Sequence, residues 1–310
     1  MKICFIGYSG HTRLALSQMK LCKDAEFVGI ACGSEHESVS GLKNFGLKIY
    51  QSYIGMLETE KPDIAVASPV FGLTGKIIIE CAERKIDVFV EKPIAGNLQE
   101  LENVEKSVKK NGIHFSAMHF LRFTPSFYHA AEIVKSGKIG NVKMIHAQKS
   151  YKFGTRPIWY SNRNLYTGTI PWVGIHPIDW IYHFTGKKFL SVVAFHEGNP
   201  EMTASIQYKL ENGIHATVNL DYYRPNNAAT HGDDRMRVVG TEGIIEINET
   251  SYKIINTDGV NEYFPIDASK LAYDYLLRKE ELTQDEIFYL TRIALITRES
   301  ADYETEYRFW

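Results

Sequence analysis

In residues 1–120, short apolar runs alternate with stretches whose apolar residues recur at helical spacing. Lys2–Gly7 (KICFIG), Phe27–Ala31 (FVGIA), Ile64–Ser68, Val88–Val90 and Ile113–Met118 read as strands. Between them lie helical patterns at Thr12–Leu21, around Met56 and Leu57, at Lys76–Arg84 and at Leu98–Lys110. The last carries Leu101, Val104 and Val108 on one side and charges elsewhere. Continuously apolar strands alternating with helices imply βαβ units and a parallel sheet covered on both faces. This is the pattern of a doubly wound, Rossmann-type α/β domain.

The rhythm changes near Ser126. A helical pattern at Phe127–Ser136 precedes a strand at Val142–Lys149, an aromatic and cationic stretch, and a helix around His176–Phe184. Long segments with period-2 alternation follow. MTASIQYKLENGIHATVNLDYY reads as a hairpin turning at Asn212-Gly213, with further turns near Glu242-Gly243 and Asp258-Gly259. An amphipathic helix, Gln284–Tyr303, ends the pattern. The second half is therefore expected to be an α+β domain with a large, open, mostly antiparallel sheet. The boundary falls at residues 119–126, giving one domain over 1–120 and a second over 121–310.

Composition narrows the function without naming it. With 35 basic and 37 acidic residues among 310, the net charge is −2. That balance lacks the clustered basic excess of nucleic-acid or anionic-membrane binders. No apolar run reaches the length of a bilayer span, and MKICFIGYSGH leads straight into a strand, without a signal-peptide core. The four cysteines, Cys4, Cys22, Cys32 and Cys81, show no metal-ligand spacing. They read as reduced packing residues of a cytoplasmic protein, with no metal expected.

FIGYSGHTRLAL joins the first strand to the first helix. A dinucleotide site needs a tight turn there, bare backbone for the pyrophosphate, and open N–H groups at the helix start. Gly7 and Gly10 suit that need, but the positions of a G-x-G-x-x-G carry Gly7, Ser9 and Thr12. Gly7, Ser9, Gly10, His11 and Thr12 are candidate cofactor contacts, with Ser68 and Pro69 at the fourth strand's end. The second strand ends in Cys32-Gly33-Ser34-Glu35. With no acid at the strand end itself, the reading leans to NADP, contacted by Ser34 and Arg13. Glu35 keeps NAD open, since a carboxylate can hold the ribose diol.

VFVEKPIAG (residues 88–96) ends a buried strand in Glu91-Lys92-Pro93. A lysine at the carboxyl end of a parallel strand stands where open α/β sheets place ligands. Desolvation and a neighbouring cationic group lower a lysine's pKa, which suits it to relay a proton. Glu91 is grouped with it among the cofactor contacts.

MHFLRFTP (118–125) and GIHPID (174–179) follow in order. Taken with E-K-P, they resemble the Gfo/Idh/MocA family of NAD(P)-dependent oxidoreductases, and the likeness spans most of the chain. It implies that Lys92 meets substrate and nicotinamide, and that His176 is the acid/base at the reacting hydroxyl. The expected function is hydride transfer between nicotinamide and a hydroxyl or carbonyl of a sugar, cyclitol or similar polar compound. The resemblance also implies a homo-oligomer, dimer or tetramer, joined through the C-terminal sheet.

One departure stands out. The family usually has an aspartate four residues before the histidine; here it is Trp172. Indole offers only N–H and a flat face, not a carboxylate's acceptors. Two alternatives follow: a glycosidase that recycles a bound NAD, or a non-catalytic dinucleotide-binding regulator. Further substrate candidates are Arg122 and Asp179, and Tyr151 and Trp159 in SYKFGTRPIWYSNRNLY (150–166). With Arg156, Tyr160 and Arg163, that stretch suits sugar faces, carboxylates or phosphates, or an arm on a neighbouring subunit.

Overall fold

Strands that are apolar on both sides need cover on both faces. In the computed structural model, which describes residues 1–309, six such strands form one parallel sheet. They are β1 (Lys2–Ile6), β2 (Glu26–Ala31), β3 (Ile49–Tyr50), β4 (Ile64–Ala67), β5 (Asp87–Val90) and β6 (Phe115–Ala117), in the order β3-β2-β1-β4-β5-β6. Ile3 to Ile6 and Val88 to Val90 are fully buried, which accounts for the lack of alternation in their sequence. The strand order reverses between β1 and β4, so the crevice beyond their carboxyl ends is the ligand position of this architecture. β3, only two residues long, has no counterpart in the sequence pattern.

The chain divides into two compact units. The first contains Met1–His119, Asn162–Thr167 and Ser269–Arg292; the second contains Phe120–Ser161, Gly168–Ala268 and residues 293–309. The expected boundary near residue 120 is one crossing among several, because two later segments return to the first unit. The return is built on specific contacts. Ala272 N donates to Gln18 Oε1 at 2.9 Å, the Tyr275 hydroxyl donates to the His114 carbonyl, and Phe115 stacks on Phe288. Arg278 pairs with Asp87.

The second unit holds a nine-stranded sheet in the order β14-β13-β12-β11-β7-β10-β9-β8-β15. Its strands are β7 (Val142–Tyr151), β8 (Phe189–Gly198), β9 (Glu201–Leu210), β10 (His215–Asp221), β11 (Gly232–Gly240), β12 (Gly243–Asn248), β13 (Tyr252–Asn256), β14 (Gly259–Tyr263) and β15 (Tyr307–Arg308). All pairings are antiparallel except β7 with β10. β9 and β10 form the expected hairpin, and Asn212 takes the left-handed conformation at its turn (φ 59°). β8 is hard to read in sequence because a bulge after Phe189 disturbs its alternation. One face buries Ile145, Ala147, Ala204, Ile206, Val218 and Leu220 beneath helices; the other shows Met144, His146, Asn219 and Phe195. Among the described residues no helix is long and apolar enough to cross a membrane.

Candidate active site

The glycine turn of the first unit is latched at several points. Gly7 has φ +76°, and a Cβ there would fall 2.5 Å from the Ser68 carbonyl oxygen. Only glycine tolerates both conditions. Ser9 N donates to Ser68 O at 2.8 Å, and the Ser68 hydroxyl donates back to Ser9 O. Gly10 is also left-handed (φ +73°). The helix Thr12–Met19 starts with no side-chain cap from His11, so its first-turn N–H groups remain for a ligand. Bare backbone at the switch point and an uncapped helix start fit a dinucleotide pyrophosphate.

Glu91 ties this turn to the lysine. His11 N donates to Glu91 Oε2 at 2.6 Å, the His11 ring Nδ1 lies 2.9 Å from the same oxygen, and Lys92 N donates to Oε1 at 3.0 Å. Burial by itself would push the Glu91 carboxyl up. The His11 imidazole, the Lys92 ammonium and the backbone donor outweigh it and hold Glu91 below its ordinary value. Glu91 is fully buried, so it supports the turn from beneath where a cofactor contact was expected. Thr12, Ser68 and Pro69 are likewise buried. Lys92, at the carboxyl end of β5, is 2% exposed.

A residue that the sequence hid stands at the end of β2. Glu35 points to solvent with 88% of its side chain exposed. Glu37 turns inward, accepting from Gly33 N at 2.5 Å and Tyr8 N at 3.2 Å. Burial raises its carboxyl above the ordinary value despite these donors. Residues 32–38 double back, so a residue six positions beyond the strand lies beside the glycine turn. Ser34 Oγ accepts from His36 N, and Arg13 lies over the Phe45 ring at 5.1 Å. These are the two residues expected to contact an NADP phosphate.

In the second unit His176 is 3% exposed at the start of the helix Ile175–Thr185. A π-helical turn, Ile170–Gly174, leads into it and carries Trp172; such turns recur at functional sites. Its entry needs Gly168 at φ +104°. Buried Glu201 accepts from Thr169 N, and the Thr169 hydroxyl donates to the Glu201 carbonyl. Glu201 carries no motif that would have announced it.

Arg122 and Asp179, named among the substrate candidates, form a buried pair, with Nε to Oδ1 at 2.9 Å. Trp180 Nε1 also donates to the Leu121 carbonyl. Together these brace the helix of His176. Trp159 is 7% exposed with its ring 4.5 Å from that of Tyr160. Tyr151 stacks on His231 at 5.2 Å. Lys149, fully buried, pairs with Asp234 at 2.5 Å and lies over the rings of Tyr151 and Trp180.

Residues 1–119 match the description "Oxidoreductase family, NAD-binding Rossmann fold", and residues 127–246 match "GFO/IDH/MocA C-terminal domain". The chain belongs to the Gfo/Idh/MocA family. A Thermotoga maritima protein of known structure, provisionally classed as an oxidoreductase, is 42% identical, with all of both chains covered and a TM-score of 0.95. Levoglucosan dehydrogenase, solved with NADH and levoglucosan, superposes with a TM-score of 0.85 over 99% of both chains, and at 16% identity shows the fold alone. An uncharacterized oxidoreductase of Streptococcus pneumoniae is 22% identical over 240 residues, which span 74% of this chain and 64% of that protein. In Gfo/Idh/MocA terms, E-K-P is the β5 terminus and G-x-H-x-x-D the start of the helix Ile175–Thr185.

Proposed function

We propose that this chain is an NAD-dependent oxidoreductase acting on a CH–OH group of a sugar, cyclitol or related polyol. The observation that carries the reading is Glu91. One buried carboxylate holds both the dinucleotide turn, through His11, and the strand end that bears Lys92. Cofactor loop and lysine are thus one rigid construction, and rigidity of this kind lowers the cost of aligning reactants.

Bound NAD supplies the hydride acceptor. Gly7, Ser9, Gly10 and the start of the helix Thr12–Met19 hold its pyrophosphate, with His11 beside them. Glu37 selects NAD over NADP: its carboxylate accepts from a ribose diol and repels a 2′-phosphate. Lys92 presents a cation at the reacting oxygen. His176 takes the hydroxyl proton as the carbinol hydrogen leaves as hydride, so charge balances at the new carbonyl. We also infer that copies associate through the open face of the nine-stranded sheet.

A second reading, a bound NAD recycled during bond cleavage, is favoured by Trp172, which removes a carboxylate that net oxidation would use. The two differ in absorbance. Under the first, a polyol screen with NAD gives growth at 340 nm, and Lys92→Ala lowers kcat by about 10²–10³, the usual worth of a positioned electrostatic group at a reacting oxygen. Equal rates for wild type and Lys92→Ala on the best substrate would remove the first reading. Tightly retained NAD with turnover but no net 340 nm change would favour the second.

A further inference from the structure

After β7 the chain runs through Lys152 to Tyr160, and Arg156 ends up facing rings where an acid would be expected. Its guanidinium carbon lies 5.9, 5.4 and 5.7 Å from the ring centroids of Phe153, Tyr160 and Tyr222. Tyr160 and Tyr222 are buried. Arginine has five N–H groups; here Nη2 donates to the Lys152 carbonyl at 3.2 Å, and Nε is buried with no acceptor among the described residues. Aromatic faces offset part of the cost of desolvating a cation, but they do not accept its hydrogen bonds as an anion does.

The surrounding charges do not cancel. Lys149 is paired with Asp234, and Arg224 lies 3.5 Å from Asp233. Lys152 has no such partner: its ammonium donates to the Ala228 carbonyl. His231 registers the resulting field. Its imidazole is held below the ordinary value, first by burial and then by the Arg156 and Lys152 cations, with Asp234 opposing them. Among the described residues, Arg156 and Lys152 are therefore two cations with no carboxylate paired to either.

Leu220 and Tyr222, two residues apart, link the cluster to the start of the His176 helix. A Cβ at Gly174 would meet Leu220 at 2.9 Å, so Leu220 packs against the residue two before His176. Tyr222 is the next residue on the same face, one pleat of about 7 Å further on.

We propose that Arg156 and Lys152 form an anion subsite of the second unit, and that the substrate is a sugar or polyol bearing a carboxylate or phosphate. This deepens, and rests on, the reading of that unit as substrate-binding. The guanidinium fork matches two oxygens of either group, and the three rings around it restrict its movement before the ligand arrives.

Calorimetric titration of the full chain with D-glucuronate, D-glucose 6-phosphate and D-glucose tests this without requiring turnover. At least one anion is expected to bind about ten-fold or more tightly than D-glucose, as a charge-assisted hydrogen-bond pair gives. Preference for glucuronate assigns a carboxylate, and preference for the phosphate ester assigns a phosphate. Arg156→Met is expected to bind all three alike, and Arg156→Lys to keep part of the preference. Should the Met variant fail to fold, wild type still decides: raising NaCl must weaken the anions and spare D-glucose. Equal wild-type affinities, no anion binding, or a folded Met variant that keeps the preference would each overturn the subsite. Anion binding through Arg156 without NAD-linked oxidation would leave the subsite standing and remove the oxidoreductase reading; oxidation of neutral polyols unchanged in Arg156→Met would do the reverse.

Discussion

At the scale of single residues, position in space outranks position in sequence. Glu37 illustrates this. It lies six residues beyond β2, yet its carboxylate accepts from Tyr8 N in the glycine turn, while the nearer Glu35 is in solvent. Replacing Glu37 with Gln keeps the shape and removes the charge. The ratio of NAD to NADP affinity, read by quenching of tryptophan fluorescence, is expected to fall about ten-fold or more, in line with the strength of charged hydrogen bonds. An unchanged ratio would mean that another residue selects the cofactor. Lys92, His176 and Gly7 were legible because each follows a buried strand or opens a helix whose pattern is plain. Glu37 and Glu201 were not, since their roles depend on loops that fold back.

At the scale of elements, the helix Ile175–Thr185 collects several roles. Its first turn carries His176, its second carries Asp179 bonded to Arg122, and its end carries His183. His183 is held down to about 3, first by burial and then by Arg122 and Lys135, with Asp179 opposing. An unfolded chain takes up that proton near 6.5, so between about 3 and 6.5 the unfolded state binds more protons. The stability this helix lends is therefore complete above about pH 6.5 and is lost as the pH falls toward 3. Glu91, held below its ordinary carboxyl value, adds a loss of the same sign at more acid pH. Melting temperatures taken from pH 7 to 4 should fall more steeply for wild type than for His183→Phe. Parallel curves would remove His183 as the source. The G-x-H-x-x-D spacing gave this helix away in sequence, but the π-helical turn before it did not, because one inserted residue leaves the apolar pattern almost intact.

At the scale of the whole molecule, the chain returns twice to its first unit, at 162–167 and 269–292. The alternation of the second sheet has a further consequence. Phe195 is 53% exposed and Met144 37% exposed, on the face opposite the helices. If copies of the chain meet there, light scattering should give a mass that is a multiple of 35.4 kDa, and Phe195→Glu should shift it toward the monomer while the melting temperature holds. A monomeric wild type would end the inference.

The sequence by itself determined both sheets, the order of their main elements and the chain positions of the lysine and histidine. Those follow from local rules: period, turn chemistry and the burial of apolar runs. Tertiary structure decided which acid lies beside the glycine turn, that Glu91 is bonded to that turn, and that Arg122 is paired with Asp179. It also decided that Arg156 sits among rings, with no counter-charge among the described residues. Each depends on which groups meet across tens of residues, and charge pairing falls off with distance in space, whatever the separation along the chain.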